Sequence, residues 1–70
     1  MTVYVAVKGE NGEGFYILSI HKNEADAIAA CLKQEACFSE NDYNWKPVAN
    51  RKNSWINGCD YVEVQEHTVQ

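Results

Sequence analysis

Metal or thiol chemistry in this chain would depend on five side chains: Cys31, Cys37, Cys59, His21 and His67. No two of them stand at the CxxC or HxxxH spacing with which a short segment binds zinc. A nucleophilic cysteine also needs a base and an orienting group, and the sequence near Cys37 offers neither. We therefore expect no metal, no cofactor and no catalytic residue.

The acidic residues and the glycines show no catalytic or nucleotide-binding pattern either. The acids are scattered over turns and helix positions, where solvated carboxylates are usual, so paired acid–base catalysis is not indicated. The glycine-rich stretch Gly9–Gly14 precedes an apolar run typical of a strand, whereas a phosphate-binding glycine loop opens a helix. The sequence favours a protein that is not an enzyme.

The segment from Tyr43 to Trp55 is the strongest candidate for binding. It holds both tryptophans and three cations, has no acidic residue, and lies in a basic window between two acidic regions. Trp, Tyr and Arg dominate the binding energy of many protein interfaces. We predict a partner-binding site made of Tyr43, Trp45, Lys46, Arg51, Lys52 and Trp55.

Two alternatives stay open for this segment. In one, the tryptophans only cover the open side of a small sheet while the cations remain in water. In the other, aromatic and basic residues of the loop 43–55 hold a nucleotide-like anion, across a dimer interface. The net charge of −4 disfavours nucleic acid as a partner. The acidic face of the helix is a second candidate surface for a protein partner.

Length and composition predict one small domain over residues 1–70. A core of this size often needs further stabilisation, so a homodimer is a candidate assembly. No apolar run reaches the roughly 18 residues of a membrane helix, and the start of the chain lacks the pattern of a signal peptide. Three cysteines, an odd number, fit a reducing compartment. We expect a cytoplasmic protein without a membrane partner.

Two strands joined by a tight loop are expected first. Residues 3–7 alternate valine with other residues, which is typical of a half-buried strand. The glycines of residues 9–14 allow the reversing loop of a hairpin. The apolar run Phe15–Ile20 predicts a second strand that is central or covered on both faces. Strict alternation places Tyr16, Leu18 and Ile20 on one face and Phe15, Ile17 and Ser19 on the other.

A helix is expected next, capped by Asn23 and running through residues 25–34, which are rich in strong helix formers. Its predicted apolar stripe consists of Ala25, Ile28, Ala29, Leu32 and Ala36. Residues 37–58 read as a long aromatic and Asn-rich loop with an extra short strand near residues 45–49. The turn signal Asn57-Gly58 then introduces a strand over Asp60–His67, which is expected to pair with the first strand.

The predicted class is therefore α+β, with a small antiparallel sheet in the order β-β-α-β and one helix packed on one face. The opening Val3-Tyr4-Val5, the strand Tyr16–Ile20 leading into Asn23–Ala27, and the closing Tyr61–Val64 resemble a family of short uncharacterised bacterial and phage ββαβ proteins. The likeness covers about two thirds of the chain and leaves out residues 37–58.

No chemistry is assigned to that family, so the resemblance assigns a role to no residue. It implies a phage accessory protein that binds a bacterial host protein and modulates or inhibits it. Together with the absence of a catalytic pattern, it favours a non-enzymatic protein-interaction domain whose partner is a host or cellular protein.

Overall fold

The computed structural model describes residues 1–10, 12–35 and 44–69. Over these residues the protein is one antiparallel sheet with one helix, which confirms the α+β class. The elements in chain order are β1 (Thr2–Glu10), β2 (Gly14–His21), α1 (Glu24–Leu32), β3 (Lys46–Pro47), β4 (Ser54–Asn57) and β5 (Asp60–Thr68). Within the described ranges, no helix is long and apolar enough to cross a membrane.

The first and last strands form the centre of the sheet. The strand order is β2-β1-β5-β4-β3, and β1 pairs with β5 over the full length of both strands, from Thr2 opposite Thr68 to Glu10 opposite Asp60. This confirms the expectation that the last strand pairs with the first. The helical crossover after β2 carries the chain over the hairpin to the far side of β1.

The region expected to be a long loop contains two strands. β3 at Lys46–Pro47 confirms the short strand predicted near residues 45–49, but β4 at Ser54–Asn57 was not predicted. A two-residue turn of Gly58 and Cys59, with Gly58 at a φ of 62°, joins β4 to β5 as a hairpin. The turn signal Asn57-Gly58 therefore joins two strands, β4 before it and β5 after it. The part of the predicted loop from residue 37 to residue 43 lies outside the described residues.

Strand β2 lies at the edge of the sheet, so the prediction of a central or doubly covered strand is wrong. A bulge also interrupts its pairing with β1, because Ala6 pairs with Ser19 whereas the next residue, Val7, pairs with Ile17. The extra residue, Leu18, packs against the core under the helix. A bulge changes the alternation of side chains beyond it. Ile20, which pairs with Val5, therefore shares a face with Phe15 and Ile17, contrary to the expected alternation.

Helix α1 packs through small residues, not through the predicted stripe. Its buried residues are Ala27 and Cys31, whereas Ala29 and Leu32 are exposed. The reason is the bulk beneath the helix, where Trp45 joins the core formed with these two residues, so that only small side chains fit. Ala25 is exposed and Ile28 is half-buried, and Ala36 lies outside the described residues.

The start of the helix lies where the sequence predicts it. Asn23 is the N-cap residue and its carbonyl oxygen accepts a hydrogen bond from the backbone N–H of Ala27, at 3.3 Å. Its side chain makes no capping bond; the Nδ2 atom donates to Asp26 Oδ2 instead. The acidic residues Glu24 and Asp26 lie in the first turn, where they interact favourably with the helix dipole.

Two matched leucine substitutions test which side of the helix packs on the sheet. Ala27→Leu should lower the free energy of unfolding by about 1–3 kcal/mol, because the added carbon atoms have no space in the core. Ala29→Leu makes the same chemical change on the exposed side and should stay within about 0.5 kcal/mol of the wild type. Urea unfolding followed by tryptophan fluorescence measures both. A larger loss for Ala29→Leu than for Ala27→Leu would contradict this packing.

Candidate functional site

The two faces of the sheet differ in what covers them. Helix α1 contacts β1, β2 and β5 from one side, where Ala6, Val62 and the half-buried Val64 line the core. We call the opposite side the open face, because no described helix packs on it. The strand pairings place three rows of side chains across this open face. The first row is Lys46, Ile56, Tyr61, Gly9 and Phe15; the second is Ser54, Glu63, Val7 and Ile17; the third is Gln65, Val5 and Ile20.

The β2 end of the open face is apolar and accessible to solvent. Phe15, Ile17 and Ile20 are 57%, 57% and 61% exposed. Val5 and Val7, their neighbours on β1 and on the same face, are also apolar but are buried. We call Phe15, Ile17 and Ile20 the apolar edge patch. Single exposed apolar residues are ordinary, but adjacent ones on one face are typical of interaction sites.

A cavity of about 390 Å³ lies towards the other end of the open face. Its lining includes Ile56 and Tyr61 from the β4–β5 hairpin, and Glu63 with Arg51. The Arg51 Nη2 atom donates to Glu63 Oε2 at 3.1 Å, and the Arg51 side chain remains largely exposed. The cavity thus combines an apolar floor with an ion pair at its rim.

Gly9 connects the cavity to the apolar edge patch. It lies between Tyr61 and Phe15 in the first row, and a Cβ atom placed on it would be 2.7 Å from the Tyr61 hydroxyl oxygen and 2.8 Å from Phe15 Cβ. Only glycine allows these side chains to approach so closely. The open face is therefore continuous from β4 to β2.

The tryptophans of the predicted partner-binding site belong to the helix-covered side. Trp45 is only 9% exposed, and its Nε1 atom donates to the backbone oxygen of Gln34 at 2.8 Å. Trp55 is half-buried and packs against the same core. Both indoles thus pack against the core on the helix-covered side, and not on the open side of the sheet that the alternative from the sequence gave them.

The cations of the predicted site separate onto different surfaces. Lys46 is exposed in the first row of the open face, and Arg51 lines the cavity there. Lys52 instead pairs with Glu24 in the first turn of the helix, at 3.5 Å. Tyr43 lies outside the described residues. Of the predicted set, the structure brings Lys46 and Arg51 to the open face.

Sequence reasoning did not select the apolar edge patch. The signal was present, because Phe15–Ile20 is almost entirely apolar, but that pattern was interpreted as burial on both faces. The predicted pairing of the last strand with the first already leaves β2 at one edge of the sheet, but a uniformly apolar run is more typical of a covered strand than of an edge strand.

The charges around the cavity do not favour an anionic ligand. Glu10 and Glu63 both contribute to the lining, and Arg51 is its only cation among the described residues. An anion would have to compete with the Glu63 carboxylate for Arg51 and would approach a second carboxylate. The geometry thus gives little support to the nucleotide-like ligand considered from the sequence.

A second cavity, of about 300 Å³, opens at the β1–β2 hairpin on the helix-covered side and is lined by Lys8, Gly9, Glu10, Glu13, Gly14, Phe15, Tyr16 and Asp60. Lys8 and Asp60 are buried there, and the Lys8 Nζ atom donates to the backbone oxygen of Glu35 at 2.6 Å.

The described residues contain no group of three or more His, Cys, Asp or Glu side chains that is arranged to hold a metal ion.

The two described cysteines differ in their environment. Cys31 is buried on the inner side of α1, and its Sγ atom lies 3.4 Å from the backbone oxygen of Glu63. Burial raises the pKa of the Cys31 thiol to about 11, so that it stays protonated at neutral pH. Cys59 is exposed in the turn between β4 and β5. Cys37 lies outside the described residues.

Comparison of the chain with the profiles of known protein families, with curated proteins and with solved structures found no match.

Thiol reactivity tests the placement of the cysteines. In a Cys37→Ser background at a pH of about 8, Cys59 should be alkylated at least about 100-fold faster than Cys31, because burial both shields and protonates the Cys31 thiol. Peptide mass spectrometry over time measures the two rates. Unfolding in denaturant is the control and should bring the rates together. Equal rates in the native protein would place Cys31 at the surface.

The pH dependence of stability follows from the same pKa. The folded-state pKa of Cys31 is raised, so its contribution to stability is present below the ordinary thiol pKa of 9.0 and is lost as the pH rises towards about 11. Between these values the unfolded chain releases the thiol proton and the folded protein retains it. In urea unfolding across this range, the wild type should lose stability more steeply than Cys31→Ala. Parallel curves would contradict the assignment.

Proposed function

We propose that this protein is a non-enzymatic interaction domain that binds another protein on the open face of its sheet. The observation that carries this proposal is the apolar edge patch, in which three large apolar side chains of one strand are each more than half exposed on the same face. Burial of such surface stabilises a complex by about 25 cal/mol per Å² of apolar area before the costs of association are counted.

The surroundings of the patch fit the usual anatomy of an interface. Interfaces combine a buried apolar centre with a polar rim, and they are enriched in aromatic residues and arginine. Here Phe15, Ile17 and Ile20 supply the apolar centre, and Tyr61 and Arg51 lie along the same face. The ion pair of Arg51 with Glu63 is exposed on the arginine side, so a partner can still contact the guanidinium group.

We propose that the partner is a bacterial host protein. The resemblance noted in the sequence suggests a phage accessory protein, whose partner would be a bacterial host protein that it modulates or inhibits. The acidic net charge of −4 is compatible with a protein partner and opposes binding to nucleic acid.

Photo-crosslinking from two neighbouring positions tests the face that binds. A photoreactive phenylalanine analogue at Ile17 should form a covalent adduct with the partner in cells, because Ile17 lies in the apolar edge patch. The matched control is Tyr16, which is equally exposed at 57% but points to the opposite side of the same strand. The adduct mass, read by mass spectrometry, distinguishes a partner protein from a second copy of the chain.

Serine substitutions provide the quantitative arm of this test. Against the partner identified by crosslinking, Ile17→Ser should weaken binding by about tenfold or more, and Tyr16→Ser should leave it within about twofold. Crosslinks from Tyr16 but not from Ile17, or equal losses for both serine variants, would contradict binding by the open face.

A further inference from the structure

The outer edge of β2 has the properties of a strand that another strand can join. β2 is eight residues long and stands at one end of the sheet order, with β1 on its other side. Every second backbone N–H and C=O group of an edge strand points away from the sheet. Such a row of donors and acceptors is a template for pairing with a further chain.

The two edges of the sheet differ sharply in their protection. At the opposite edge, β3 has only two residues, a lysine and a proline, and proline has no N–H to donate. β2 carries no lysine, proline or carboxylate between Gly14 and His21. Charged residues, proline and bulges are the usual devices that prevent strand addition, and of these β2 has only the bulge at Leu18. Within the described sheet, β2 is therefore the edge that permits pairing.

The charges that flank β2 select the partner strand. Glu13 precedes the strand, Lys22 follows it, and both are exposed. If two β2 strands pair antiparallel about their common midpoint, Glu13 of each copy lies near Lys22 of the other, whereas a parallel arrangement in register brings like charges together. Opposite charges across a strand pair are favourable and like charges are unfavourable. The strand is thus complementary to itself in the antiparallel direction.

We infer that the protein forms a symmetric homodimer by antiparallel pairing of β2 with β2 of a second copy. The twofold axis of such a pair is perpendicular to the sheet, so both open faces lie on the same side of one continuous sheet. The apolar edge patches of the two copies then adjoin. The bulge at Leu18 confines regular pairing to the parts of the strand on either side of it.

The inferred interface is small. Pairing along one strand buries less area than the roughly 1,200–2,000 Å² of a standard interface, so the dimer should be weak and concentration-dependent. This inference is independent of the proposed function, because it uses the backbone edge of β2 and the flanking charges, and not the open face itself.

Charge-swap variants of the full chain test the pairing. Sedimentation velocity at up to about 0.5 mM should show a reversible monomer–dimer equilibrium for the wild type. Glu13→Lys or Lys22→Glu alone should weaken dimerisation about tenfold, since each places like charges together at both ends of the symmetric pair. The double variant Glu13→Lys/Lys22→Glu should return to within about twofold of the wild type.

Each outcome decides the inference. A wild type that remains monomeric over this range would overturn it, as would a dimer that the single variants do not weaken or the double variant does not restore. Circular dichroism of each variant verifies the fold, and both positions are exposed. If the dimer forms as stated but the Ile17 adduct with another protein is absent, the proposed function fails and the homodimer stands.

A disulfide test gives a second readout of strand direction. In a background in which Cys37 and Cys59 are serine, a mixture of Glu13→Cys and Lys22→Cys chains should crosslink much faster than either variant alone. Antiparallel pairing brings residue 13 of one copy near residue 22 of the other and keeps identical residues apart. Faster crosslinking of one variant with itself would overturn the antiparallel arrangement.

Discussion

The pairing of β1 with β5 is the constraint on which the rest of the structure depends. These two strands are paired from Thr2 opposite Thr68 to Glu10 opposite Asp60; α1, β2 and β4 lie against them, and β3 joins the sheet through β4. Because side chains alternate along a strand, this one register decides the two faces of the sheet. Ala6 and Val62 face the helix, whereas Val7 and Gly9 face the opposite side. The core and the open face are two consequences of the same pairing.

One helix can cover only one face of a five-stranded sheet. α1 contributes Ala27 and Cys31 to the core, and Trp45 completes the same cluster from the segment before β3. Both tryptophans therefore lie on the covered side, and the large apolar side chains of the open face are Phe15, Ile56, Tyr61 and the aliphatic residues of β1 and β2. The bulge in β2 enlarges the apolar part of that face by adding Ile20 to Phe15 and Ile17. Exposure of this surface has a cost for the isolated domain, which a partner bound on the open face would remove.

Local signals in the sequence predicted the local structure well. The glycines after β1 mark the first hairpin, Asn23 marks the start of the helix, and the valines of β5 mark the last strand. The pairing of first and last strands was also predicted, because a helical crossover restricts where the chain can return. β4 was missed because a four-residue strand gives too few alternations to distinguish it from a loop.

Features that depend on tertiary contacts were not predicted from the sequence. An apolar run such as Phe15–Ile20 is typical of a buried strand, and only the strand order shows that it lies at an edge. A helical wheel favours the largest apolar residues, whereas the bulk of Trp45 selects Ala27 and Cys31 for the contact. The same contacts explain why two tryptophans that suggested a binding loop lie on the covered side. Lys46 and Arg51 reach the open face through the strand pairing and the ion pair with Glu63.

The central claim is that the β2 end of the sheet is uncovered on the side opposite the helix. Its most direct test is the paramagnetic relaxation that a soluble, uncharged probe induces in the methyl groups of isoleucine and valine in dilute protein. The account predicts strong relaxation at Ile17 and Ile20 and weak relaxation at the methyl groups of Val7 and Val62. Protection of Ile17 and Ile20 comparable to that of Val7 and Val62 would show that this face of β2 is covered and would contradict an open face.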